Sequence, residues 1–226
     1  MSNFTKVLHH VIGRAAAEAF VIVGASIVVI TSRSLEKAIR VAKEIEAVGK
    51  GTTVLGFQYE IRNEASGNAL WDDLRRDCIE IDVLVLNASA NIPTAQEFDL
   101  SISKIWRTFE SNVKDQLINV ERFQSQGKKQ GRHPGFIFTE QNAQHGLTRE
   151  SLPFDDASLP ANFFVWAASK KAAFLHGRFV WAHWDVGELI ATKSKLEADK
   201  GLLRVGLQGV ESQDFELLFA GMNRSI

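Results

Sequence analysis

The stretch GASIVVITSRSLEKAIRVAKEIEAVG, residues 24–49, indicates the fold of this protein. Residues 26–31 form a continuous run rich in β-branched side chains, which is typical of a strand buried on both faces in a parallel sheet. Ser34 is a suitable N-cap for a helix that Gly49 ends. Within that helix, apolar residues recur at helical spacing, at Leu35, Ile39, Ala42, Ile45 and Val48. The stretch therefore predicts a strand followed directly by an amphipathic helix.

The same alternation continues along the chain. Helices are predicted over residues 13–23, 64–77, 101–126, 161–174 and 186–199, and strands over residues 52–61, 82–89, 135–139, 178–184 and 202–210. Residues 140–160 are polar and loop-like. Alternating strands and helices with short connections predict an α/β fold, a Rossmann-like doubly wound parallel sheet.

Composition places the chain among ordinary globular proteins. Its 226 residues are 45% hydrophobic and 23% charged, so we expect one domain spanning residues 1–226. A net charge of -1 gives no attraction to nucleic acid or to an anionic membrane, and the basic residues 127–133 read as a solvated loop. We expect neither kind of partner.

Cysteine and histidine usage adds two exclusions. Cys78 is the single cysteine, which excludes an intrachain disulfide and fits a reducing compartment. The six histidines show no metal-ligand spacing, so we expect no metal site. The N-terminus lacks the pattern of a secretory signal, and the longest apolar run is too short to span a bilayer. The sequence predicts a cytoplasmic protein.

Arg33 follows the predicted strand 26–31, at the position where dinucleotide-binding folds recognise the ribose of the cofactor. An acidic residue there binds the hydroxyls of NAD, whereas a basic residue accommodates the 2′-phosphate of NADP. Thr31-Ser32-Arg33-Ser34 therefore favours NADP. The alternative is an arginine that simply caps a sheet edge.

These residues, with others in the expected order, resemble the short-chain dehydrogenase/reductase family, especially its fungal branch. Ile12-Gly13-Arg14-Ala15 resembles the end of the glycine-rich Thr-Gly-x-x-x-Gly-Ile-Gly motif. Glu60 stands in the place of the aspartate that follows the third strand, and Asn87-Ala88-Ser89-Ala90 resembles the Asn-Asn-Ala-Gly motif. Asn112 in Ser111-Asn112-Val113-Lys114 resembles the catalytic asparagine, and residues 133–139 resemble the Pro-Gly-x-x-x-Thr loop.

The resemblance implies a set of functional residues. Asn112 is the only member of the catalytic tetrad that can be identified. The cofactor-binding candidates are Ile12, Gly13, Ser32, Arg33, Glu60, Asn87, Arg122, Ile137 and Thr139. It also implies NADP as cofactor, a small carbonyl compound such as a polyketide as substrate, and a homodimer or homotetramer.

Two family segments are missing from the chain, so the fold is predicted to be truncated and the active site degenerate. The first, at His10 and Val11, is the opening strand with most of the glycine-rich turn that holds the pyrophosphate. The second, within Gly127–His133, is the serine-bearing strand, the Tyr-x-x-x-Lys helix and the next strand, on the order of 50 residues. We expect weak or absent NADP binding and little or no reductase activity.

The segment Trp166-Ala167-Ala168-Ser169-Lys170 looks like Tyr-x-x-x-Lys with tryptophan in place of tyrosine. It follows the Pro-Gly loop, whereas the catalytic motif of the family precedes that loop. An indole also cannot donate a proton near neutral pH. We therefore interpret the match as a coincidence, and Trp166, Trp181 and Trp184 as core residues.

Deleting the opening strand would leave interior strands with unpaired backbone groups, which is costly when they are buried. We expect residues 6–11 to substitute as a short strand, and residues 136–138 to fill the place beside the fourth strand. Two other readings of the chain stay open. In the first, the chain is a non-catalytic interaction protein that keeps a subunit surface within residues 178–210. In the second, it is a mis-spliced product of a gene for a full reductase.

Overall fold

The computed structural model describes residues 4–8, 11–89, 101–126, 148 and 155–204. Its strands are β1 (Phe4–Leu8), β2 (Ile27–Ser32) and β3 (Thr53–Gln58). Its α-helices are α1 (Val11–Ile22), α2 (Leu35–Glu46), α3 (Glu64–Arg76), α4 (Ile102–Phe109), α5 (Asp115–Gln124), α6 (Ser158–Ala168), α7 (Val186–Ala191) and α8 (Lys193–Ala198). A π-helical turn, Glu110–Lys114, joins α4 to α5, and a 3₁₀-helix, Lys170–Leu175, follows α6.

The described strands form one parallel sheet in the order β1-β2-β3. β2 and β3 pair without interruption from Ile27↔Thr53 to Ser32↔Gln58. β1 pairs with β2 at Val7↔Ile30 and Leu8↔Thr31, with a register irregularity after Phe4. A short N-terminal strand therefore pairs with β2 as expected, but it is residues 4–8, Val11 begins a helix, and β1 is the edge of the described sheet without a fourth strand beside it.

Helices cover both faces of this sheet, as predicted for a doubly wound fold. One core joins the sheet to α1, α2, α6 and the C-terminal helices, through residues such as Val28, Ile30, Phe20 and Phe164. The other core, around Val29, Leu70, Trp71, Leu74 and Phe123, joins the opposite face to α3 and α5. Alternate residues of β2 thus serve opposite cores, which is why the β-branched run has no polar face.

Two glycines satisfy local geometric demands. Gly24 ends α1 with a φ of 78°, a left-handed conformation that β-carbon-bearing residues rarely adopt. Gly56 lies in β3 where α2 crosses it, and a β-carbon there would stand 2.5 Å from the carbonyl of Ala38. The close contact between α2 and β3 therefore requires glycine at this position.

The helix over residues 35–46 is confirmed, but its predicted buried face is only partly right. Leu35 and Ile39 are 46% and 44% exposed, and Val48 beyond the helix is also exposed. The face toward the sheet consists of Ala38, Val41, Ala42 and Ile45. The small side chain of Ala38 lies where α2 passes over Gly56, while Leu35 and Ile39 point outward.

Several predicted elements are absent or interrupted. Residues 82–89 were predicted as a strand, but only Val83 forms an isolated bridge, although Ile81 and Leu84 are buried as a strand would have them. Residues 178–184 are likewise irregular, and 202–204 form a turn. A strand needs hydrogen-bonded neighbours, and the short, irregular β1 offers too few partners to extend the ladder.

The long helix predicted over residues 101–126 is confirmed, because α4, the π-turn and α5 follow one another without a break in helical conformation. Two other predicted helices are divided, and residues 186–199 form α7 and α8, which meet at Thr192. The helix predicted over 161–174 stops at Ala168, where Ser169 is extended, and continues as the 3₁₀-helix. The strands predicted at 135–139 and beyond residue 204 lie outside the described residues. No helix in the described ranges is long and apolar enough to cross a membrane.

Candidate functional site

The carboxyl ends of the three parallel strands meet at one edge of the sheet, and five of the ten predicted site residues lie there. Ile12 and Gly13 are in the first turn of α1, directly after β1. Ser32 ends β2 with Arg33 beyond it, and Glu60 follows β3. This is the edge at which nucleotides bind in open parallel sheets.

The first turn of α1 offers little to a ligand. Gly13 is buried, and Ile12 packs against the core that joins α1 to the sheet. Only His9 and His10 lie between the end of β1 and the start of α1, where the resemblance calls for a glycine-rich turn.

The ends of β2 and β3 are joined by side chains as well as by the ladder. Gln58 Nε2 donates to the carbonyl oxygen of Arg33 at 3.0 Å, and Ser32 Oγ accepts from the backbone N–H of Ser34 at 3.4 Å. The side chain of Arg33 is exposed, so it is accessible to an anion. The carboxylate of Glu60 accepts from Asn63 Nδ2 at 3.4 Å.

Asn112 lies in the π-helical turn between α4 and α5. Such turns inside helices occur frequently at functional sites. Gln116, on the next turn, donates from Nε2 to the carbonyl oxygen of Ala88 at 2.8 Å. The segment that contains Asn87 therefore lies against the helix that carries Asn112.

The other predicted residues lie elsewhere. Arg122 is on α5 and donates to Asn68 Oδ1 on α3, so its guanidinium lies between these two helices. Ile137 and Thr139 are outside the described residues. Trp166 is partly buried against the first core, and the break at Ser169 separates it from Lys170, so these two residues do not share one helix. Trp184 also packs against that core.

The sequence analysis missed a buried hydrogen-bond network behind the sheet edge. Tyr59 directly follows β3 and donates its hydroxyl to Asp115 Oδ2. Asn119 Nδ2 donates to the Tyr59 hydroxyl and to the Asp115 carbonyl, both at 2.8 Å, while Trp71 Nε1 donates to Asn119 Oδ1 at 3.1 Å. The other oxygen of Asp115 accepts from the backbone N–H of Arg62 at 3.2 Å.

This network fixes the loop after β3. Arg62 has a φ of 67°, a left-handed conformation that is costly for a residue with a β-carbon, and its N–H bond to Asp115 helps to hold it there. The sequence did contain a signal, because Tyr59 is the chain's only tyrosine and Asp115 and Asn119 are spaced one helical turn apart.

Tyr59 cannot serve as a proton donor to a substrate. It is 2% exposed, and burial, followed by the hydrogen bond to the Asp115 carboxylate, raises its pKa above the usual value. The adjoining cavity, lined by Arg62, Lys114 and Arg122, has a volume of about 80 Å³. Cofactor pockets are several times larger. The network therefore stabilises the fold and does not form a cofactor site.

Comparison with known proteins identifies the family to which this parallel-sheet fold belongs. The family model for the short chain dehydrogenases matches residues 9–132, more than half of the chain. The chain belongs to the short chain dehydrogenase family.

The chain also has fungal relatives. It is 28% identical over 245 aligned residues to a short chain dehydrogenase/reductase of Claviceps purpurea, a match covering 87% of this chain and 82% of the relative. It is 44% identical over 75 residues to the short chain dehydrogenase/reductase AacuD of Aspergillus aculeatus. That second match spans 33% of this chain and only 26% of AacuD.

Solved structures share the fold. YwfH, an NADPH-dependent reductase involved in bacilysin biosynthesis, superposes with a TM-score of 0.67 at 18% identity, over 80% of this chain and 98% of YwfH. A variant of actinorhodin polyketide ketoreductase with NADPH gives a TM-score of 0.67 at 14% identity, over 80% of this chain and 95% of the other. At these identities the likeness establishes the Rossmann-type fold alone.

Proposed function

We propose that this chain is an NADP(H)-type short chain dehydrogenase by descent that has little or no reductase activity. The observation that supports it best concerns its only tyrosine, Tyr59, which is buried and donates its hydroxyl to Asp115. Carbonyl reduction of the family type needs a tyrosine that can transfer a proton to the substrate next to the nicotinamide. No other tyrosine is available to do so.

The cofactor site supports the same proposal. Exposed Arg33 suits the 2′-phosphate of NADP, and NADPH is bound in solved structures of the same fold. The first turn of α1, however, follows β1 after only His9 and His10, and a short turn with β-carbons cannot bring backbone N–H groups close to a pyrophosphate. Binding of NADP is therefore weak or absent.

The fungal relatives suggest the ancestral chemistry. Actinorhodin polyketide ketoreductase shares the fold, and a small carbonyl compound of secondary metabolism is the substrate class we assign to the parent enzyme. We also propose that the protein is cytoplasmic and that residues 1–226 form one domain.

Two measurements test the proposal. Purified protein is mixed with NADPH and a panel of ketones, and absorbance of NADPH is followed beside a tag-only control; we expect equal rates. Calorimetric titration with NADPH then measures cofactor binding, for which we expect no saturable signal at micromolar concentrations. Ketone-dependent oxidation of NADPH above the control would refute the loss of activity.

A second candidate is a non-catalytic interaction protein, and α4 favours it. This helix has no buried residue, and Ile102, Trp106 and Phe109 are 82%, 56% and 47% exposed. Exposed apolar surface of this kind is common at protein interfaces. Light scattering after size exclusion distinguishes the readings, because a dimer or tetramer without NADPH affinity would favour an interaction role.

The remaining alternative is a mis-spliced product of a gene for a complete reductase. The two missing segments are internal, and family-like sequence flanks both of them. Genomic DNA at the junctions near His10 and within residues 127–133 decides the question. Glycine-rich and Tyr-x-x-x-Lys coding sequence in introns there would establish this origin.

A further inference from the structure

A pocket of about 480 Å³ lies between the second halves of α3 and α5. Because α3 runs back from the end of β3, its last turn and Cys78 are directed toward the sheet edge opposite to Arg33 and Glu60. The volume is within the range of small-molecule sites, whereas the cavity beside Tyr59 is not. The pocket is therefore distinct from the edge where the family binds its cofactor.

The inner wall of the pocket is apolar and firmly held. Trp71 is 7% exposed, and its indole N–H is bonded to Asn119, which fixes the plane of the ring. Leu74 and Ile79 are buried beside it. A fixed aromatic ring favours binding of a flat apolar ligand. The Trp71 side chain is already held in place and a flat ring is rigid, so neither loses much conformational freedom when they pack together.

Two hydrogen-bond donors on the α5 wall lack a strong acceptor. The side-chain oxygen of Gln126 accepts from the backbone N–H of Ile81 at 3.2 Å, which sets the orientation of the carboxamide. Its Nε2 is buried and has no hydrogen-bond partner among the described residues. A buried amide donor in this state is costly, and turning the carboxamide toward a ligand oxygen in the pocket would remove the cost.

Arg122 lies one helical turn before Gln126 and also lines the pocket. It donates to the neutral side chain of Asn68, and no carboxylate of the described residues forms an ion pair with it. On the α3 side, the charge of Asp72 is offset by Arg75 at 2.8 Å. Glu80 is the remaining acid on the lining and disfavours a ligand with two negative charges.

We propose that this pocket binds small aromatic monocarboxylates. The ligand carboxylate accepts from the Arg122 guanidinium and from Gln126 Nε2, and its ring lies against Trp71. Charge-assisted bonds to a guanidinium are the stronger part of such recognition.

The chain contains its own probe of this site. Cys78 is the only cysteine, is exposed, and lines the pocket. Its rate of alkylation by iodoacetamide is measured by mass spectrometry with increasing phenylacetate, and in parallel with phenylacetamide, which has the same shape without the charge. We expect phenylacetate to slow alkylation in a saturable way and phenylacetamide to have little effect.

Two variants locate the contact. Arg122→Gln should raise the half-protecting phenylacetate concentration about tenfold or more, because one charge-assisted bond is lost. Arg76→Gln is the matched control, since this arginine is paired with Asp73 and is not part of the pocket lining. Its protection curve should match that of the unaltered protein.

Several results would overturn the proposal. They are an alkylation rate that phenylacetate does not change, equal protection by phenylacetamide, or an equal effect of the two variants. If circular dichroism shows that Arg122→Gln does not fold, the comparison of the two ligands on the unaltered protein decides.

Discussion

Replacing Tyr59 by phenylalanine tests whether the buried network stabilises the fold. The change removes one hydroxyl and keeps the ring in the core around Trp71. Asp115 loses its hydroxyl donor, and the donor that remains to the same oxygen is Asn119 Nδ2 at 3.4 Å. Asn119 in turn loses the hydroxyl that accepts its N–H at 2.8 Å.

The loss has a predictable size. A hydrogen bond to a charged group contributes about 1.5–3 kcal/mol to stability. Removing a donor from a buried carboxylate is expected to cost an amount toward the upper part of that range. The carboxylate still accepts from the backbone of Arg62 at 3.2 Å, so it is not fully orphaned. We therefore expect Tyr59→Phe to lower the free energy of unfolding by about 2 kcal/mol.

Urea unfolding followed by far-ultraviolet circular dichroism measures this change. Arg75→Gln is the control, because it breaks an exposed pair with Asp72 and should leave the midpoint unchanged. The double variant Tyr59→Phe/Asp115→Asn should lose less than the sum of its single variants, because both act on one bond. A Tyr59→Phe midpoint equal to that of the control, or strict additivity, would refute the reasoning.

Four further predictions concern single features of the structure. The raised pKa of Tyr59 means that the folded state holds the phenolic proton more tightly than the unfolded chain, whose tyrosine titrates near pH 10. Stability should be unaffected below about pH 10 and should fall above it, with tyrosinate absorbance appearing only as circular dichroism is lost; absorbance from native protein contradicts this. Arg178 is 8% exposed and donates to backbone carbonyls near the end of α8, so replacing it by methionine should cost about 3 kcal/mol or more in urea unfolding; a loss below that of Tyr59→Phe would be inconsistent with this role. Gly56→Ala forces α2 away from β3 and should cost about 2–3 kcal/mol, more than Gly24→Ala, where only the positive φ opposes the change; the reverse order would disprove the contact argument. Thr31 is fully buried, and its hydroxyl has no hydrogen-bond partner in the described part of the chain. Replacement by valine should therefore raise the thermal midpoint by a few degrees, and a lowered midpoint would show that the hydroxyl has a partner.

Local patterns predicted the first half of the chain well. The β-branched run at residues 26–31 and the helix after Ser34 are both present, because propensity, capping and periodicity agree there. Residues 82–89 also contain an apolar run, with Leu84 and Ala88 buried, yet they form no strand and Leu86 is exposed. Backbone pairing depends on neighbours from other parts of the chain, and no local pattern reports whether those neighbours exist.

The candidate site shows the same division. Ser32 ends β2, and Arg33 and Glu60 follow β2 and β3, so these residues lie at the carboxyl edge of the sheet because both strands are parallel. The resemblance did not reveal that Tyr59 is buried against Asp115, since those residues are far apart in sequence and meet only through packing of α5 on α3.

The amino-acid sequence by itself determined the family and the α/β alternation. Those features are matters of which residues are present and in what order. Only the tertiary structure decided that the N-terminal segment pairs with β2, that the only tyrosine is withdrawn from solvent, and that Gln126 and Arg122 face one pocket. Each of these depends on hydrogen bonding and close packing between segments distant in the chain, which local sequence does not specify.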